Sequence, residues 1–200
     1  MTQKVLGNLS QGLVFVLSAP AGTGKTTLVQ MLKKEFSCID RSVSYTTRLP
    51  RGGEVDAEDY FFISKEEFEQ RIEGEDFLEY AQVFGSWYGT SKAQIQSKVS
   101  SGKHVFLVID TQGAVALQKM GFKAIYVFVS PPSVEALQDR LDRRKTEDEA
   151  SRKERLSWAE KEIKLASLYD YQIVNCNLEV AYQILKSIVI AEEHRIKKVN

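Results

Sequence analysis

The chain of 200 residues predicts an α/β fold: a parallel sheet core flanked by helices, with a small inserted lobe and a mobile lid. Three observations carry this. The apolar runs LVFVL (13–17), VFLVI (105–109), IYVFV (125–129) and QIV (172–174) are continuous rather than alternating, as in strands covered on both faces. Helix-like segments separate them, at 25–36, 91–101, 112–119, 133–143, 149–168 and 178–194. Residues 41–90 break this rhythm with short strand-like pieces, which marks an insertion.

Length suits one domain, 11–191, divided into a core (11–40 and 91–191), a lobe (41–90) and a lid (143–155). The 27 basic side chains match the 27 acidic ones, so no overall charge pulls the chain toward nucleic acid or membrane. An anionic ligand must therefore be held by a local cluster. Cys38 and Cys176 lack metal-site or disulfide spacing and read as small core residues. The segment MTQKVLGNLSQG has no apolar signal core, and no later run reaches membrane-spanning length, so a cytoplasmic protein is expected.

The first strand leads into SAPAGTGKTT (18–27) and the first helix. Ala19, Pro20, Ala21, Gly22, Thr23, Gly24, Lys25 and Thr26 match a P-loop in all but its first glycine. Gly22 and Gly24 let the loop turn tightly and aim N–H groups at phosphate oxygens, and the helix adds its positive dipole end. Lys25 then reaches the β- and γ-phosphates, and the Thr26 hydroxyl ligates Mg²⁺. The competing reading is a plain strand-turn-helix connection with Lys25 in solvent. The coincidence of strand, spacing and Lys-Thr pair favours a nucleoside triphosphate site on a P-loop NTPase-type core.

In the lobe, SVSYTT, DYFFI and FLEYAQV are the strand-like pieces and PRGGE is a turn. Ser64 and Glu67 have capping-box spacing, with Ile63 and Phe68 as a hydrophobic staple, for a helix running through Arg71. Arg48 and Arg51 flank Pro50, where two planar forks can converge on one phosphate. Tyr60, Glu79, Tyr88 and Thr90 offer a carboxylate and hydroxyls among aromatic rings. A carboxylate accepts two hydrogen bonds from the N1–H and exocyclic amine of guanine, an edge adenine lacks. Taken singly, the two tyrosines read as core residues.

Beyond the lobe, Leu156, Ala159, Ile163 and Ala166 make an apolar stripe on the helix at 149–168. The segment RRKTEDEASRKER (143–155) carries almost no apolar residues and reads as a solvated, mobile element. Asp110 ends the strand VID at the edge where open α/β sheets bind ligands. It has two readings: a group facing Mg²⁺-bound water or the acceptor, or the N-cap of the helix that follows.

In order and spacing, SAPAGTGKTTL, VSYTTRLPRGGEVDAEDYFF, FLEYAQVFGSWYGTS, IDTQG, PPS, RLDRRKTEDEASRKER and IVN make the chain resemble the guanylate kinase family over about Gly12 to Ala191. The resemblance implies γ-phosphoryl transfer from ATP to GMP, with Mg²⁺ as cofactor and both nucleotides as small-molecule partners. It implies that Ser44, Arg48, Arg51, Tyr60, Glu79, Tyr88 and Thr90 hold GMP, the arginines and tyrosines at its phosphate and the others at guanine. From the lid it selects Arg140, Arg144 and Arg155 as phosphate clamps and leaves Arg143, Lys145, Arg152 and Lys153 as a solvated face. Asn175 corresponds to a residue near the adenine of ATP.

Three departures from the family pattern stand out. Val108 replaces an acid two residues before Asp110, Arg143 and Lys145 replace lid glycines, and Cys176 and Asn177 replace an acidic pair. None touches Lys25 or Arg48. A binding module of the same fold is expected to have a degraded P-loop and lid; this chain keeps Lys25, Thr26 and the arginines. A kinase for another nucleoside monophosphate is expected to lack a carboxylate in the role of Glu79.

Overall fold

Val14–Ser18 (β1) occupies the middle of a sheet because its side chains are apolar in both directions. Phe15 and Leu17 enter one core cluster and Val16 enters the other. The computed structural model describes residues 3–144 and 149–196, apart from the side chains of 140–144 and 149–156. Its five-stranded sheet runs β2 (Ile39–Arg41), β7 (His104–Val108), β1, β8 (Ile125–Ser130), β9 (Tyr171–Val174), every pairing parallel. On one face lie α1 (Lys25–Glu35) and α7 (Leu178–Glu193), packed through Leu28, Leu32, Leu185 and Val189. On the other, α3 (Lys92–Ser100) and α4 (Thr111–Lys119) contribute Ile95, Ala114 and Leu117.

The sequence-based strands and helices of the core are all present, with two differences. Strand β2 was not expected, since three residues at a sheet edge with only Ile39 fully buried leave no pattern to read. The helix expected over 149–168 is α6 (Glu149–Lys164) followed by a 3₁₀ turn, Leu165–Leu168. Helix α5 (Val134–Arg144) precedes it, and Leu137 and Ala159 pack the pair together. Residues 145–148 of the expected lid lie outside the described residues, while 149–155 are the first turns of α6. The two cysteines are not both in the core: Cys38 is half-buried and Cys176, just past the end of β9, is exposed.

The inserted lobe carries a second sheet in the order β4 (Phe61–Phe62), β3 (Tyr45–Thr46), β6 (Ser86–Ser91), β5 (Phe77–Val83), with α2 (Lys65–Glu73). Phe68 of α2 is fully buried, its ring 4.6 Å from Phe77 and 5.9 Å from Trp87. Only half of the capping box forms. Ser64 Oγ accepts from the Glu67 N–H at 3.0 Å, whereas the Glu67 carboxylate turns forward to Arg71 at 3.1 Å. Strand β6 was missed because SWYGTS neither alternates nor forms an apolar run. It becomes a strand by folding back on β5 through Phe84 and Gly85, both at positive φ (47° and 79°), the backbone of a tight two-residue hairpin turn.

Far from the lobe, the chain start is tied to the end of α7. The buried Glu193 carboxylate accepts from the backbone N–H groups of Gly7 (2.8 Å) and Asn8 (2.9 Å) and from Asn8 Nδ2. His104 Nδ1 accepts from the Leu13 N–H at 3.0 Å, so Nε2 carries the ring proton and donates to Glu193 at 2.5 Å. Burial alone raises the Glu193 pKa, but these donors outweigh it and hold it at about 2, against an ordinary 4.5. Since the folded value is depressed, the stabilisation is complete above about pH 4.5 and is lost as pH falls toward 2. Glu193→Gln is expected to cost roughly 2–3 kcal/mol at pH 7, about 5–10 °C in Tm for a chain of this size, with a flatter loss between pH 4.5 and 2. Thermal melts of parent and variant across pH check this, and an unchanged Tm at pH 7 refutes it.

Candidate active site

A cleft of about 250 Å³ opens at the carboxyl edge of β1 and β7, between the sheet and the lobe. The loop after β1 builds its floor. Gly22 and Gly24 take φ of 90° and 94°, a region costly for other residues, and no side chain caps α1. The first-turn N–H groups of α1 thus form an anion site with the helix dipole behind it. Ala19 is absent from the positive-φ residues, so the missing first glycine of the motif is not needed for the turn. Thr23 Oγ1 donates to the Pro20 carbonyl at 2.9 Å and pins the loop from within. Lys25 Nζ donates to the Ala19 carbonyl at 2.6 Å and lines the cleft beside Thr26, Ala19, Ala21 and Gly22.

The lobe supplies the opposite wall with Ser44, Arg48, Arg51, Tyr60, Glu79 and Tyr88. Both tyrosines therefore face the cleft, and they meet edge to face at 5.9 Å. Arg48 forms a bidentate fork with Glu54 (2.9 Å on each side), donates to the Tyr88 hydroxyl at 3.2 Å, and lies 5.4 Å from the Tyr60 ring. Burial would loosen its proton, but Glu54 and Tyr88 outweigh that and raise its pKa. Burial likewise pushes Glu54 up, yet Arg48 and the Arg51 N–H bring its carboxyl below the usual range. Glu54 thus fixes the Arg48 guanidinium and the backbone of Arg51 in one turn.

Glu79 is buried, and its Oε1 accepts from the Thr90 hydroxyl at 2.5 Å. Burial, with Asp110 adding like charge, raises its pKa to about 7 despite the Thr90 bond. Thr90 itself is fully buried and is not part of the cleft wall; it meets the cleft through Glu79. Asp110 combines its two readings, since it lines the cleft and its Oδ1 caps α4 through the Gly113 N–H at 2.9 Å. Asn175 stands behind the loop rather than in the cleft, its Nδ2 donating to the Thr23 carbonyl at 2.7 Å. Pro20, Thr23 and Gly24 also shape the loop without lining the cleft. Arg140, Arg144 and Arg155 sit on α5 and α6, but their side chains lie outside the described residues.

Several lining residues escaped the sequence reading. Glu162 of α6 accepts from Thr111 Oγ1 at 3.1 Å, and burial raises its pKa although Lys25 and Thr111 pull it down. Its signal was a carboxylate three residues after Ala159, beside the apolar stripe. Glu54 closes PRGGE three residues after Arg51, a turn-closing acid. Phe84, at the hairpin tip, meets Trp158 of α6 at 6.2 Å, so the two walls touch at the cleft mouth. Val108 lines the cleft next to Ile109.

Comparison with known proteins points to one family. The family model described as guanylate kinase matches residues 11–192. A guanylate kinase of Protochlamydia amoebophila is 50% identical over 96% of this chain and 97% of its own length. One from Chlamydia trachomatis serovar D is 48% identical over 98% of each. The crystal structure of guanylate kinase from Anaplasma phagocytophilum superposes with a TM-score of 0.76 at 34% identity, covering 92% of this chain and 88% of that one. With the family model matching residues 11–192 and these relatives alike along nearly the whole chain, the chain belongs to the guanylate kinase family.

Proposed function

We propose the following division of labour for a chain that, by its family, is an ATP:GMP phosphotransferase giving ADP and GDP. The loop from Ala19 to Thr26 binds the phosphates of ATP, with Lys25 at the β- and γ-phosphates, and Asn175 braces that loop near the adenine side. Arg48 and Arg51, with Tyr60 and Tyr88, hold the GMP phosphate. Glu79 and Ser44 read guanine, with Thr90 fixing Glu79. The proposal takes in dGMP beside GMP as acceptor. The reaction serves purine nucleotide metabolism, and its place is the cytoplasm; among the described residues no helix is long and apolar enough to cross a membrane.

The single observation that carries the proposal is the buried Glu79 carboxylate in the same cleft as the phosphate loop and Arg48. The acceptor oxygen belongs to a phosphate, so the protein's task is positioning and charge stabilisation rather than proton removal. Arg140, Arg144 and Arg155 are assigned to the charge that spreads over the transferred group, and lid closure would exclude water so that GMP receives it. The donor set fits Mg²⁺: a Thr26 hydroxyl and the Asp110 carboxylate are hard oxygens, and this ion takes one or two protein ligands with phosphates and water. Among the described residues no cluster of three or more His, Cys, Asp or Glu forms a self-sufficient metal cage. When bound, Mg²⁺ neutralises charge on the β- and γ-oxygens.

Turnover with ATP against GMP, dGMP, AMP, CMP and UMP tests the assignment. We expect GMP and dGMP to be accepted and AMP to be disfavoured by about 10⁴-fold in kcat/KM, the discrimination a site built around hydrogen bonds to one edge provides. Equal activity on AMP and GMP overturns it.

A further inference from the structure

Gly113 is a glycine that its own backbone does not require. It lies in the first turn of α4, it is not among the residues with positive φ, and glycine is a weaker helix former than alanine. Its reason lies on the neighbouring strand β5. A Cβ at this position would stand 2.5 Å from Glu79 Oε2 and 3.1 Å from Glu79 Cδ, while the next neighbour, Ile109 Cδ1, is at an ordinary 3.4 Å. The Glu79 carboxylate has little freedom to retreat, because it is buried and held by the fully buried Thr90. Strand β5 also carries a register shift between Phe77 and Glu79.

We propose that Gly113 is a positioning residue for base recognition: its missing side chain is the space that lets Glu79 present both oxygens to the guanine edge. The inference rests on Glu79 reading guanine. Thr90 pins one oxygen from the β6 side and the first turn of α4 bounds the other, so the carboxylate orientation is set by two elements at once. The same turn carries Asp110, whose Oδ1 accepts from the Gly113 N–H. A methyl group at 113 has to push Oε2 aside by most of an ångström to reach normal contact, which misaligns the pair of parallel bonds to guanine. Losing one charge-assisted bond corresponds to roughly 10- to 100-fold in affinity.

The test measures KM and kcat for GMP, and GMP binding at equilibrium, in Gly113→Ala, Glu79→Ala and the double variant. We expect Gly113→Ala to raise KM and Kd for GMP about 10- to 100-fold with the loss in KM rather than kcat. The double variant should match Glu79→Ala within about twofold, since the overlapping atoms are gone. If Glu79→Ala raises KM and Gly113→Ala does not, the role of Gly113 is refuted while base reading stands. If Glu79→Ala leaves KM unchanged, base reading itself fails. Equal effects of Gly113→Ala in both backgrounds also refute the proposal, because the effect then bypasses Glu79. Should Gly113→Ala alone not fold, the double variant must fold; an unfolded double variant overturns the inference.

Discussion

Replacing Lys25 with alanine is expected to lower kcat for the ATP and GMP reaction by about 10²- to 10³-fold or more, the loss typical of removing one group aimed at developing charge. The ammonium is held at the mouth of the anion site by the Ala19 carbonyl at 2.6 Å and the Pro20 carbonyl at 3.4 Å, with Glu162 close enough to influence it. The tether is made of loop carbonyls, so the charge is aimed by the same loop whose N–H groups meet the phosphates. Those N–H groups and the α1 dipole survive the substitution. Binding of a non-hydrolysable ATP analogue should therefore weaken far less than turnover, and Lys25→Met, which keeps most of the stem, should be as inactive as alanine. A Lys25→Ala enzyme retaining kcat within threefold would remove Lys25 from the mechanism.

The second large effect concerns Glu79 and pH. Its pKa of about 7 comes from burial and then from Asp110, opposed by the Thr90 bond. Protonation converts one acceptor oxygen into a donor, and a neutral acid cannot accept from both the N1–H and the amine of guanine. KM for GMP is expected to rise about tenfold between pH 8 and pH 6, as the fraction of ionised Glu79 falls. In Glu79→Gln, KM is high throughout and the part of the pH dependence that belongs to Glu79 disappears; the phosphate titrations of the nucleotides are common to both enzymes. Identical KM profiles for parent and variant would refute the assignment.

Stability should move the other way. Because the folded pKa exceeds the ordinary 4.5, the folded state keeps a proton that the unfolded chain has released, and stability falls as pH rises from about 4.5 through 7. Above pH 7, Glu79→Gln is therefore expected to be more stable than the parent by roughly 2–3 kcal/mol, a function-for-stability exchange at a binding site. The sign is opposite to that of Glu193, whose depressed pKa makes its charge stabilising.

How much was legible follows from where the signal lies along the chain. The strand, loop and helix from Val14 to Glu35 were readable because a phosphate loop is a contiguous backbone device: glycine conformations, a helix start and a lysine at fixed offsets. The apolar runs identified the central strands because burial on both faces leaves no alternation to misread. By contrast, β2 and β6 have weak patterns of their own, and each becomes a strand by pairing, one with β7 and the other with β3 and β5. Cys176 was misplaced because burial is decided by where the chain leaves the sheet edge, not by the thiol.

By itself, then, the amino-acid order determined the α/β class, the loop proposed for the donor and the residue types of the proposed acceptor pocket, since these are local patterns or a family's spacing. Tertiary structure alone decided the second layer. Glu162 against Thr111, Phe84 against Trp158 and Gly113 against Glu79 each join positions on different elements. No local period encodes such a meeting, because it depends on how the lobe, α4 and α6 pack in space. Burial, which moves the Glu79 carboxyl to about 7, is likewise a property of the packed molecule rather than of the residue.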